Sequence, residues 1–100
     1  MADRMDKLEV ATALASLPDW RLVADDNAIE REFHFPGFNT AFGFMTRVAL
    51  AAERGNHHPD WHNSYGSVTI RWSTHSAGGL TELDMRLAKS CDRFAAVLLG

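Results

Sequence analysis

His57, His58 and His75, with Glu53 before them and Asp84 after, gather three imidazoles and two carboxylates in the second half of the chain. An unperturbed imidazole titrates at about 6.5, so it can give and take a proton near neutrality, and several together point to proton transfer or to a metal site. Pro59 disfavours helical geometry at His58, which puts the His57-His58 pair in an extended or turning segment where neighbouring side chains point in different directions. One ring can then reach a reacting atom while the other holds a different part of a ligand. Ser73 and Thr74 stand directly before His75 and are candidates, with it, for the wall of a site.

A metal centre is the physical rival, because His57, His58, His62 and His75 with Asp60 or Asp84 offer nitrogen and oxygen ligands. The spacing argues against it. Pro59 prevents the helical pairing of His58 with His62, and the chain has neither His-Glu-x-x-His nor paired cysteines. No metal is expected. Plainer roles compete for each remaining residue: Glu53 suits the solvated last turn of a helix, Asp84 a capping position, and Trp20 and Trp61 the core or its rim. His34 and His62 lie outside the cluster and read as surface or structural groups.

The elements that must position these groups are those of a small chain. One hundred residues amount to about one domain, so residues 1–100 are expected to fold as a single unit. A net charge of -3 is too small to draw in nucleic acid, and no apolar stretch is long enough to cross a bilayer or to form the core of a secretory signal. A soluble, cytoplasmic protein is expected, without nucleic-acid or membrane partners. The lone Cys91 falls at helical spacing with Leu87, Phe94 and Ala95, which reads as packing rather than as a nucleophile.

Helical spacing of Leu8, Ala11, Leu14 and Ala15 predicts a first helix from about Met5 to Leu17, ended by Pro18. Trp20 to Ala24 and Ala28 to Phe35 flank the turn cluster Asp25-Asp26-Asn27 and read as a hairpin. After Pro36-Gly37, Asn39 can cap a central helix running from Ala41 to Glu53. That helix is apolar nearly all round through Phe42, Phe44, Met45, Val48, Ala49 and Leu50, more surface than one sheet can cover, so a homo-oligomer is expected. Trp61 to Tyr65 and Val68 to Trp72 predict two further strands about Gly66. A last helix opens at Thr81 with the capping-box pattern Thr81-Glu82-Leu83-Asp84 and buries Leu83, Leu87, Cys91, Phe94 and Leu98.

This order predicts an α+β fold in two layers, α-β-β-α-β-β-α, with a four-stranded antiparallel sheet and helices packed on one face. The free sheet face can then form the wall of a site. Alternation sends Ser73 and His75 to the side opposite Val68, Ile70 and Trp72 if the strand reaches that far.

Glu53, His57-His58-Pro59, Trp61, Tyr65, His75 and Asp84, together with the segment FHFPGFNTAFGFMTRVALAAE at residues 33–53, resemble the pterin-4a-carbinolamine dehydratase family, also called 4a-hydroxytetrahydrobiopterin dehydratase. The likeness runs from about Leu14 to Leu98. It implies conversion of a 4a-hydroxytetrahydropterin to quinonoid dihydropterin and water without an organic cofactor, in the recycling of pterin used for aromatic amino-acid hydroxylation. It also implies a tetramer, in preference to a dimer, with the central helices packed together. By motif position, His57 and His75 become the acid and base, and which of them is which stays open. His58 binds and orients the pterin, Trp20 lines the pocket with Ser73 and Thr74, and Glu53 and Asp84 support or orient. Some relatives are binding modules, either dimerisation cofactors of a transcription factor or assembly factors, so a non-catalytic or second protein-binding role is the alternative. Two positions depart from the family's animal members: Asn56 stands in place of an aspartate and Trp72 in place of a smaller aliphatic residue.

Overall fold

A computed structural model describes residues 3–100 of the chain. Its elements follow the expected order around a four-stranded antiparallel sheet, an α+β fold. Helix α1 (Lys7–Leu14) is opened by Asp6, which accepts the Glu9 amide while the Glu9 side chain accepts the Asp6 amide, so two otherwise orphaned donors are satisfied. The helix is shorter than the span from Met5 to Leu17 and buries a different stripe. Val10 is covered and Leu14 partly so, while Leu8, Ala11 and Ala15 face solvent, and Leu17 turns into the core beyond the helix end. Val10, Leu14 and Leu17 form the more apolar of two competing stripes at helical spacing, and that one is buried.

Strands β1 (Arg21–Val23) and β2 (Ala28–His34) form the hairpin. Its turn passes through the left-handed region at Ala24, Asp25 and Asp26, with φ of 53, 55 and 66°. Aspartate tolerates that conformation better than alanine does, because its short polar side chain can bond locally. Helix α2 (Phe38–Gly55) starts on the extended Gly37 with no side-chain cap, so Asn39, expected as the cap, lies inside the first turn. The helix begins as soon as Pro36-Gly37 has ended the strand. It buries Ala41, Phe44, Val48, Ala51 and Ala52, leaving Phe38, Phe42 and Leu50 outside.

Strands β3 (Asp60–Ser64) and β4 (Ser67–Trp72) meet at Tyr65-Gly66. A Cβ at Gly66 would lie 2.4 Å from the Phe35 carbonyl oxygen, and Gly66 in turn accepts the Phe35 amide at 2.8 Å, so only glycine lets this turn close on the end of β2. The sheet order is β1-β2-β4-β3, with β3 and β1 at the edges. Ile29, Phe33, Val68, Ile70 and Trp72 share one face and are buried with the inner sides of α2 and α3 (Glu82–Leu99) in one apolar cluster. Glu30, Glu32, Thr69, Arg71, Asp60 and His62 occupy the opposite face, which stays polar and at least partly open.

Cys91 sits in the core, and burial pushes its thiol from 9.0 up to about 12, with the neighbouring Trp72 indole opposing that rise. The reactive thiolate is then roughly 10³-fold scarcer than in an ordinary thiol at mildly alkaline pH. Native protein at pH 8 should therefore resist a thiol reagent that labels the urea-unfolded chain within minutes. Equal labelling rates in the two states would contradict the packing of α3.

Candidate active site at the end of the sheet

The site begins where α2 ends. The Asn56 amide donates to the Glu53 carbonyl at 3.1 Å and the His57 amide to the Ala52 carbonyl at 3.0 Å, the paired bonds that close a helix through a left-handed residue. Asn56 is that residue, with φ 48° and ψ 45°, and asparagine is among the few types that adopt it readily.

The turn delivers His57 to α3. His57 Nε2 lies 2.5 Å from Asp84 Oδ1, and the carboxylate is fully buried. The other oxygen, Oδ2, accepts the Thr81 amide at 2.9 Å and the Thr74 hydroxyl at 2.7 Å. Thr74 has one hydroxyl proton and gives it to Asp84, so the 2.9 Å contact between the two threonine hydroxyls is a bond donated by Thr81. Every partner of the carboxylate can be a donor, which fits an acceptor-only anion and assigns the Nε2 proton to His57. The helix N-terminus favours negative charge there as well. Asp84 is accordingly both the third-position partner of the Thr81 cap in the capping box of α3 and the group that holds the His57 ring. The imidazole is also stacked on Trp72, with centroids 5.8 Å apart and planes 14° from parallel.

His58, pointing elsewhere, bonds Glu53 Oε1 through Nε2 at 2.8 Å, and both side chains are largely exposed. A surface pair of this kind contributes little to stability. His75 follows Thr74 directly in the chain. Strand β4 stops at Trp72, because Thr74 and Gly79 bond each other's backbone at 3.0 and 3.3 Å and fold the intervening residues into a 3₁₀ turn (His75–Ala77). The strand does not reach His75, yet the ring is exposed at a cleft of about 300 Å³ whose lining includes Ser73, Thr74, Asp60, Arg71 and Asn27.

His57, His58 and Glu53 do not line this cleft. Thr74 connects the two halves, since it forms part of the cleft wall and bonds the aspartate that holds His57. Trp20 is not part of the cleft wall: it is buried edge-on against Phe33 and its indole donates to Asp92 Oδ1 at 2.9 Å, beside the Arg31 guanidinium that bonds the same oxygen. Asp60, weighed in the sequence only as a metal ligand, and Arg71 were missed as cleft residues. Arg71 precedes Ser73 by two, so the alternation expected of β4, carried one residue past its end, already places both on one face. Among the described residues no group of three His, Cys, Asp or Glu side chains converges as a metal ligand set, and no helix is long and apolar enough to cross a membrane.

An antiparallel sheet open on one face, with an aspartate-held histidine at the end of α2 and a second histidine at a small cleft, defines an α+β class of protein with imidazoles gathered beside its sheet. Within it, the chain belongs to the pterin 4 alpha carbinolamine dehydratase family, whose model matches residues 3–94. Proteins named for that dehydratase are similar over nearly all of it. One from Chelativorans sp. (strain BNC1) is 50% identical over 93 residues, covering 93% of this chain and 95% of its own. One from Bradyrhizobium sp. (strain ORS 278) is 47% identical over the whole of both. A crystal structure described as a transcriptional coactivator/pterin dehydratase from Brucella melitensis is 43% identical, covers 93% of this chain and 99% of its own, and superposes with a TM-score of 0.90. A pterin dehydratase-like RuBisCO assembly factor of the alpha-carboxysome, 20% identical with a TM-score of 0.68 over 77% of this chain and 89% of its own, shares the fold.

Proposed function

We propose that this chain dehydrates a 4a-hydroxytetrahydropterin, the 4a-carbinolamine, to quinonoid dihydropterin and water. The reaction needs one proton delivered to the departing hydroxyl and another taken from a ring N–H, which calls for two proton carriers on one small heterocycle. The observation that carries this proposal is the 2.5 Å contact of His57 Nε2 with the buried Asp84. With Nε2 held by a carboxylate, Nδ1 is the atom left to exchange a proton, and the ring is fixed in orientation. His75, exposed at the cleft, supplies the second carrier. His58, braced by Glu53, binds and orients the ligand. The relatives' names support the same chemistry, and recycling of pterin spent by an aromatic amino-acid hydroxylase in the cytoplasm is the setting that fits it.

The test is a spectrophotometric assay with 4a-hydroxypterin generated enzymatically in place. Purified protein should accelerate loss of the hydroxypterin absorbance well beyond the spontaneous rate. No acceleration would overturn the proposal.

A homo-oligomer, and a tetramer in preference to a dimer, belongs to the same proposal. Phe38, Phe42 and Leu50 are 52, 57 and 60% exposed and follow one i, i+4 ridge along the outer surface of α2, with Thr46 between them. Such ridges pack into the grooves of another helix, and an apolar strip of this length favours being covered. Leu50→Glu is expected to shift the sedimenting species to a smaller mass while the circular dichroism stays helical. A wild-type protein that sediments as a monomer at micromolar concentration would remove the oligomer.

A further inference from the structure

The open face of the sheet carries a row of alternating charge, one residue from each strand: Arg21, Glu30, Arg71 and Asp60, each the cross-strand partner of the next. Glu30 divides its carboxylate between neighbours. Oε1 accepts Arg21 Nη2 at 2.8 Å, and Oε2 accepts Arg71 Nε and Nη2 at 3.1 and 2.9 Å. Arg71 thus spends one side of its guanidinium on Glu30, and Nη1 takes no part in these bonds. Asp60, directly opposite Arg71 in the pairing, forms no ion pair with it within 4.0 Å, in contrast to the other members of the row. An acceptor and a donor therefore stand side by side without cancelling each other. Both line the cleft that holds Ser73 and His75, and both also line the shallower hollow next to it, beside Trp61 and His62.

We infer that Asp60 and Arg71 read the 2-amino-4-oxo edge of the pterin, a step that rests on the function proposed above and specifies how its ligand is chosen. An ionised carboxylate only accepts and a guanidinium only donates. A 2-amino-4-oxo pyrimidine ring presents the complementary order: the amino N–H and the adjacent ring N–H as donors, then the carbonyl oxygen as acceptor. Asp60 takes the two donors and Arg71 Nη1 the carbonyl. Side chains of directly paired residues start about 5 Å apart on the same face, which suits two groups gripping one edge of a flat bicyclic ring. Glu30 keeps the Arg71 fork in place, so the pair is arranged before ligand arrives. The carbon that bears the hydroxyl adjoins the carbonyl carbon, so this grip leaves the reacting centre on the His75 side of the ring.

The discriminating ligand is a lumazine, in which an oxo group replaces the 2-amino group and turns a donor facing Asp60 into an acceptor. Binding of 6-methylpterin and 6-methyllumazine, followed by ligand fluorescence at neutral pH, should favour the pterin by roughly 10- to 10²-fold on wild-type protein, the cost of one mismatched polar contact. Asp60→Asn should weaken pterin binding about tenfold and bring the two ligands to within a few-fold, because a carboxamide can also donate. Arg71→Met should weaken both alike, since both keep the 4-oxo group. Wild-type protein that binds pterin without preferring it, or Asp60→Asn that folds by circular dichroism and keeps the full preference, would overturn this inference and leave the dehydratase proposal standing. Wild-type protein that binds neither ligand would overturn both, and the wild-type comparison needs no variant to fold.

Discussion

Replacement of His57 or of His75 by alanine is expected to slow turnover of the 4a-hydroxypterin by roughly 10²- to 10⁴-fold, the scale on which a positioned acid or base contributes. The two losses should differ in origin. His75 is exposed and stands in a 3₁₀ turn held by backbone bonds between Thr74 and Gly79, so its removal should leave the melting temperature almost unchanged. His57 contributes one of three donors to the buried Asp84 and a ring surface to Trp72, so its removal should cost stability as well. If both protons move in one concerted passage, the double variant should fall little below the worse single variant, because groups that act as a unit are not additive. Stopped-flow turnover and thermal melts on the three proteins check this. A His75→Ala protein with wild-type turnover would remove the cleft from the mechanism.

Asp84→Asn is the second large effect, and its sign follows from proton counting. The carboxamide oxygen can still accept the Thr81 amide and the Thr74 hydroxyl, so the cap of α3 should survive and the fold persist. Its NH₂ group, however, faces His57 Nε2, where the carboxylate oxygen had accepted. Nε2 must then accept, the imidazole proton moves to Nδ1, and the atom offered to the ligand changes from a base to a donor. Turnover should drop by roughly 10²-fold or more with a far smaller change in the urea midpoint. Asp84→Ala, by contrast, leaves Thr74, Thr81 and His57 without their acceptor inside the core and should cost about 2–4 kcal/mol of stability. If Asp84→Asn turns over at the wild-type rate, Asp84 is a capping-box partner and nothing more.

Much of the fold was legible because its signals are local. Pro18, Pro36-Gly37, Gly66 and the Thr81 to Asp84 pattern punctuate the chain, and Val68 to Trp72 alternate cleanly between a buried and an open face. Where two local readings were equally cheap, tertiary packing decided. The buried stripe of α1 runs through Val10 and Leu17 rather than Leu8 and Ala15, and α2 begins on Gly37 rather than Asn39. The histidines stood out in the sequence, but the structure sets His57 against Asp84, His58 against Glu53 and His75 at a cleft that neither of the others lines. That Asp84 both completes the capping box of α3 and holds His57 could be read as either role from sequence, and the double duty appears only once the end of α2 is brought against the start of α3. Trp20 was linked to the site by resemblance, whereas it packs on Phe33 and bonds Asp92. Asp60 and Arg71 become neighbours only through strand pairing, which no single-segment pattern reveals.

The closure of α2 at Asn56 sets a limit on how this chain can change length. Because the main chain of His57 is anchored to the Ala52 carbonyl, the imidazole inherits the rotational phase of the helix behind it. One residue inserted or deleted within α2, with the closing bonds retained, would turn that ring by about 100° around the axis and carry it away from Asp84. Length changes inside α2 are therefore incompatible with the His57–Asp84 contact, and the hairpin tip is no free substitute, because Ala24 and Asn27 line the His75 cleft.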